Sequence, residues 1–211
     1  VVSRGGDLFF ADGTPVRFWG TNIGPPSTWP DAENAVLQAE RLAREGYNLV
    51  RLHHLDRGWA PINLFKDDAD HTQSFDAARL DGLHRFTAEL RKRGIYVALD
   101  LLVTRRFRSG DGVRDAEALE HGAKMVAHFD ERILQLQEDY ARRLLTARNP
   151  YTGLSYAEDP AVAFVSIINE SSLFLKGAIS SWAKVPTSYR EEMRVRFAAW
   201  CEARGLPAPA E

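Results

Sequence analysis

The chain is poor in cysteine, in long apolar runs and in any excess of one charge, and each shortage removes a class of protein. A single cysteine among 211 residues, Cys201, has no partner for an intrachain disulfide, so a buried core must hold the fold. Beside Trp200 in a helical stretch, that thiol reads as a buried and inert one. No apolar run reaches the roughly 20 residues that a membrane-spanning helix needs. Lys and Arg total 27 against 29 Asp and Glu, a net charge of −2. That balance gives neither the basic footprint of nucleic-acid binding nor a polybasic membrane surface. The first residues lack the basic-then-apolar order of a signal peptide, but processing removes such segments, so the compartment stays open. Internal repeats and low-complexity stretches are missing too, apart from a short Pro/Ala tail.

What is present is ordinary for one globular domain, with 45% hydrophobic and 27% charged residues. Short apolar runs alternate with amphipathic helical stretches. Val16 to Asn22 reads as a first strand, entered through an Asp12-Gly13 turn that follows Leu8-Phe9-Phe10. Asp31 is placed to N-cap a helix with Val36, Leu37, Ala39, Leu42 and Ala43 on one face, ending at Gly46. Tyr47 to His53 is a second strand. A helix from about Ala77 to Arg93 carries Leu80, Leu83, Phe86, Thr87 and Leu90, and Gly94 ends it. Ile95 to Val103 is a third strand, apolar enough to be covered on both faces. Helix in two pieces then runs to about Arg148, Ala161 to Ile168 is a fourth strand, and a helix spans about Tyr189 to Arg204.

Strand and helix in alternation, with near-continuously apolar strands, predict an α/β fold with a parallel sheet. An open doubly wound sheet expects a glycine-rich phosphate turn after an early strand. Here that place holds Gly24-Pro25-Pro26-Ser27-Thr28-Trp29-Pro30, whose prolines remove the N–H donors such a turn needs. Polar residues gather instead at the C-terminal ends of the strands: Asn22, Arg51 and His53, Asp100, and Asn169 with Glu170. A (β/α) TIM-type barrel puts its chemistry there, and about the first four βα units are present.

Glu170 stands at the centre of the functional reading. It follows a strand with almost no polar side chains, and a carboxylate at an apolar barrel mouth loses solvation, which favours its protonated, proton-donating form. Asn169 would orient a substrate hydroxyl; the plain alternative is that Asn-Glu ends a strand facing water. Arg51 and His53 share one strand face. An inward arginine implies a buried acid nearby, either as a structural ion pair or as a group that holds a catalytic carboxylate. His53 and His54 point to opposite faces if the strand stays regular, and no Cys or His cluster joins them, so neither a metal nor another cofactor is expected. Asp100 binds Arg51 or a sugar hydroxyl, or is an exposed strand-end aspartate; Asp56 follows strand two in a similar position. Asn22 is a site residue or a turn former. Trp29, Trp59 and Trp182 fall in loops at the same rim, where indole faces stack on sugar rings or simply pack.

Four stretches together resemble the retaining glycoside hydrolases of the clan that includes cellulases and mannanases, family 5 among them. They are Asp12-Gly-Thr-Pro-Val-Arg-Phe-Trp-Gly-Thr-Asn22, Gly46-Tyr-Asn-Leu-Val-Arg-Leu-His-His54, Arg93-Gly-Ile-Tyr-Val-Ala-Leu-Asp100 and Asp159-Pro-Ala-Val-Ala-Phe-Val-Ser-Ile-Ile-Asn-Glu170. The resemblance implies Glu170 as general acid/base, Asn169 on the 2-hydroxyl of the sugar at the cleavage site, and Arg51 supporting the nucleophile. It also puts His53 or His54 in a sugar subsite, beside Asn22, Trp59 and Asp100. The expected partner is an oligo- or polysaccharide, met after secretion or in a periplasm. Only 41 residues follow Glu170, too few for four more units of about 30 residues each. The later acids Glu191, Glu192, Glu202 and Glu211 do not end buried strands. Residues 1–211 are therefore expected to form one partial catalytic domain without the barrel's C-terminal half. The retaining mechanism needs two carboxyl groups about 5–5.5 Å apart, and the nucleophile is expected from outside this chain. Open sheet edges predict self-association or pairing with the missing half. Two alternatives remain: a non-catalytic carbohydrate-binding module or pseudoenzyme, and a self-contained open α/β domain in which Glu170 is incidental.

Overall fold

The computed structural model describes residues 1–59, 62–119, 123–172 and 182–207; Glu211 and the end of the Pro/Ala tail lie outside them. Strand β1 (Val2–Arg4) pairs antiparallel with β2 (Asp7–Phe9). Gly5 and Gly6 join them at φ 60° and 92°, the paired positive values that a two-residue hairpin turn with the twist of its strands requires. The Asp12-Gly13 turn follows, with Thr14 N–H donating to the Asp12 carboxylate at 2.9 Å.

Among the described residues the main sheet has four strands in the order β3-β4-β5-β6, namely β3 (Gly20–Ile23), β4 (Leu49–Leu52), β5 (Tyr96–Leu102) and β6 (Val162–Ile168). Every pair is parallel. A doubly wound sheet reverses its strand order at a switch point; here the order never reverses, as in a barrel wall. The first strand begins at Gly20 rather than Val16. Asn48 explains the late start, because its side chain bonds Trp19 N–H at 2.7 Å and the Arg17 carbonyl at 2.8 Å, occupying groups that a longer ladder would use.

Helices cross between the strands. Helix α1 (Ala32–Arg44) is capped by Asp31, which accepts from Asn34 N–H. Asp76 caps α2 (Ala77–Lys92) and Asp130 caps α4 (Glu131–Thr146) in the same way, each cap contributing about 1 kcal/mol. Between these two lies the single turn α3 (Ala123–Val126), and after β6 comes α5 (Thr187–Glu202). The buried face of α1 is Ala35, Ala39 and Leu42, one helical stripe. Leu37, expected on that face, sits about 200° around the helix from Ala35 and is exposed.

Two cores result. Val50, Leu52, Val97, Leu99 and Leu101 turn outward from the sheet against Leu42 of α1, Leu83, Phe86 and Leu90 of α2, and Tyr140 and Leu144 of α4. A second core of Leu102, Phe107, Leu119, Val126, Ile133, Leu136 and Tyr189 sits beyond the strand ends. At the opposite end, Phe10 and Phe18 lie on Tyr96 with ring centroids 5.5 and 5.6 Å apart, and Phe18 meets Phe164 edge-on at 5.3 Å. These rings close the N-terminal end of the sheet's inner face and leave its C-terminal end for chemistry.

Candidate active site at the strand ends

Parallel pairing puts Asn22 beside Arg51 and Arg51 beside Ala98, two residues before Asp100. Arg51 is half-buried, and its Nη2 pairs with Asp100 Oδ2 at 2.8 Å and donates to Asn169 Oδ1 at 2.7 Å. His53 Nδ1 meets the same Asp100 oxygen. The acid that an inward Arg51 requires is therefore Asp100. The plainer expectation of an exposed strand-end aspartate is corrected, since Asp100 is 1% exposed. Asn22 is exposed at the edge of the ladder.

The expectation that His53 and His54 face opposite ways is also corrected. His54 lies past the end of β4 at φ 61°, in the left-handed region, and this breaks the strand alternation. The two rings sit 3.9 Å apart, and His54 meets Trp59 edge-on at 5.7 Å. Burial, then the charges of His53 and Lys124, hold the His54 imidazole below its ordinary pKa. Asp56 is a structural group: fully buried, it accepts from the N–H groups of Val103 and Thr104 at 2.9 and 3.3 Å. Burial raises its pKa.

Among the three rim tryptophans, only Trp59 is open, at 62% exposure. Trp29 packs into the first core and Trp182 against the second. Arg57 lies over the Trp59 ring at 5.0 Å, with its own guanidinium bonded to the Ile62 and Pro25 carbonyls. Trp59 borders two cavities. The larger, about 600 Å³, includes Asn63, Asp70 and Glu117 in its lining, whereas the smaller, about 260 Å³, reaches Thr104 and Lys124. The smaller one adjoins the strand-end cluster and is the one relevant to its chemistry.

Glu170 follows the last residues of β6 at φ 48° and is exposed. The desolvation expected of a carboxylate at a closed barrel mouth is thus not supplied by the described residues. Lys124 was not singled out by the sequence pattern, yet its Nζ donates to the Asn169 carbonyl at 2.7 Å. The signal available was a lone lysine inside the apolar run Ala123-Lys124-Met125-Val126-Ala127.

No protein-family model matches the chain, and no curated protein matches it. Solved structures do. The endo-1,4-β-mannanase from Rhizomucor miehei superposes with a TM-score of 0.62 at 19% identity, over 79% of this chain and 47% of that one. A glycoside hydrolase family 5 mannosidase from Rhizomucor miehei gives 0.59 at 17%, over 92% and 49%. The endo-β-1,4-mannanase from Thermotoga petrophila gives 0.51 at 18%, over 73% and 35%. The fold is about half of a (β/α) barrel. This half-barrel spans about half the length of the structures it matches, or less. Within it, the strand-end cluster occupies the face where barrels of this kind assemble their sites.

Proposed function

We propose that this half-barrel belongs to a retaining glycoside hydrolase that cleaves β-linked glycans such as glucan or mannan. Glu170 is the general acid/base, and the nucleophilic carboxylate is supplied from outside this chain. The observation that carries the reading is Arg51, held between Asp100 and Asn169 one residue before Glu170.

The chemistry follows from donor and acceptor capacity. Arginine only donates, so Asn169 turns Oδ1 toward Arg51 and keeps its NH₂ group to donate to a sugar hydroxyl. Asp100, paired with Arg51 and in contact with His53, fixes the arginine so that its guanidinium N–H donors stand at the open inner face. A nucleophilic carboxylate about 5–5.5 Å from Glu170 would be held ionised there. Glu170 then protonates the leaving glycosidic oxygen while the nucleophile bonds to the anomeric carbon. In the second step Glu170 removes a proton from water, which displaces the nucleophile and restores the original anomeric configuration. His53, His54, Asn22 and the open Trp59 face line the approach, with the indole suited to the apolar face of a pyranose.

The test compares the intact protein with its Glu170→Gln variant on β-1,4-glucan and β-1,4-mannan, reading reducing ends. The expected loss is about 10²- to 10⁴-fold, the usual contribution of a general acid. Glycan binding without turnover in the wild type, unchanged in Glu170→Gln, would make this a carbohydrate-binding module instead.

A further inference from the structure

The segment that carries Glu170 is fastened on both sides of that residue by one short stretch of chain. Lys124 Nζ holds the carbonyl of the preceding residue, Asn169, at 2.7 Å. His128 Nε2 lies 3.0 Å from the hydroxyl of the following residue, Ser171, which also reaches the Lys124 carbonyl at 3.5 Å. The two side chains stand one helical turn apart and so project on one side; Ala127 N–H still donates to the Ala123 carbonyl at 2.9 Å, continuing the turn of α3.

We infer that Lys124 and His128 are positioning residues for Glu170, fixing the turn that aims its carboxyl group; the inference rests on the glycosidase reading of Glu170. A glutamate at φ 48° is in the left-handed region that L-residues other than Asn and Asp rarely adopt. Such a conformation persists only where its surroundings over-determine it. Asn169 and Ser171 are the two anchor points, held from α3 and from the turn that continues it. The lysine is suited to this place by charge as well as by reach. Half-buried, it is pushed below the usual lysine range by desolvation, and the negative charges of Glu170 and Asp56 act against that push. The ammonium thus gains from a nearby Glu170 carboxylate, which ties the two groups together electrostatically.

A residue that aims the acid matters most where the leaving group needs a proton. The experiment measures kcat/KM of the intact protein on an unactivated β-1,4-linked oligosaccharide and on a dinitrophenyl β-glycoside, whose phenolate leaves without protonation. Wild type, Lys124→Met, Lys124→Arg, His128→Ala and Glu170→Gln are compared. Lys124→Met is expected to lose about 10- to 100-fold more on the oligosaccharide than on the aryl glycoside, as a misplaced acid should. Lys124→Arg recovers most of that difference, and His128→Ala shows a smaller split in the same direction. Equal losses on both substrates in Lys124→Met and His128→Ala, with Glu170→Gln still splitting them, would overturn the inference alone. A wild type that cleaves neither substrate would overturn the glycosidase reading and the inference with it.

Discussion

The centre of the sheet and its β6 edge are made of the same kind of strand, yet they meet different surroundings. Val50, Leu52, Val97 and Leu99 are 0–1% exposed under α1, α2 and α4, while the outward residues of β6, Val165 and Ile167, are 41% and 73% exposed. Helix α5 repeats the contrast on its own surface. It buries Tyr189 and Cys201 but leaves Val195, Phe197 and Trp200 at 67%, 50% and 46% exposure. An apolar strand is therefore no guarantee of a buried one; burial needs a covering helix on that face. Exposed apolar groups of this extent mark a surface made to meet another, and we propose that the remainder of the barrel covers β6 and α5.

Substitutions on the two sides should separate these regions sharply. Phe86, fully buried between α2 and the central strands, should lose about 3–5 kcal/mol on Phe86→Ala, read by chemical denaturation. Phe197→Ser at the edge should stay within about 0.5 kcal/mol and reduce self-association of the 211-residue chain in light scattering. Equal losses at both positions would erase the contrast. The next largest effect belongs to the central ion pair of Arg51 and Asp100, whose arginine also reaches Asn169 at the β6 edge. Arg51→Met leaves Asp100 buried with His53 alone, and should cost about 3 kcal/mol, the lower end for a broken buried pair. The double variant Arg51→Met/Asp100→Asn should recover part of it in the same measurement.

The smallest effect is a pH dependence on the covered side. His84 is buried against the Tyr156 hydroxyl at 2.9 Å, and desolvation holds its imidazole below the ordinary value. Its neutral form is the folded one. The stability it contributes is present above about pH 6.5, the unfolded value, and is lost as pH falls below that, because the unfolded chain takes up a proton that the fold resists. The wild-type Tm should fall more steeply between pH 7 and 5 than that of His84→Gln. Identical slopes would remove His84 from the acid response.

Much of the architecture is legible in the sequence because it rests on local chemistry. Glycines at 46 and 94 sit at φ 82° and 70° where helices end, Asp31 caps as its type suggests, and the apolar runs are strands. The N-terminal hairpin and the late start of β3 were not legible, because they depend on Gly5-Gly6 geometry and on a side chain 29 residues away, Asn48 on Trp19. In the site, the need of Arg51 for a buried acid was legible from the cost of an unpaired inward cation. Asp100 was one of its candidate partners, and strand register decides for it over the sugar-binding and exposed alternatives. The close pair His53–His54 was hidden by a single left-handed residue, and Lys124 by its origin in a helix rather than a strand end.

The role of Glu170 is tested most directly by removing its side chain and supplying a nucleophile that needs no base. In the intact protein, Glu170→Ala with an activated aryl β-glycoside should accumulate a glycosyl-enzyme that water resolves slowly. Added azide should speed turnover and yield the β-glycosyl azide, identified by proton NMR. Rescue that gives the α-azide, or a Glu170→Ala variant that turns over at the wild-type rate with no response to azide, would contradict Glu170 as the acid/base of a retaining glycosidase.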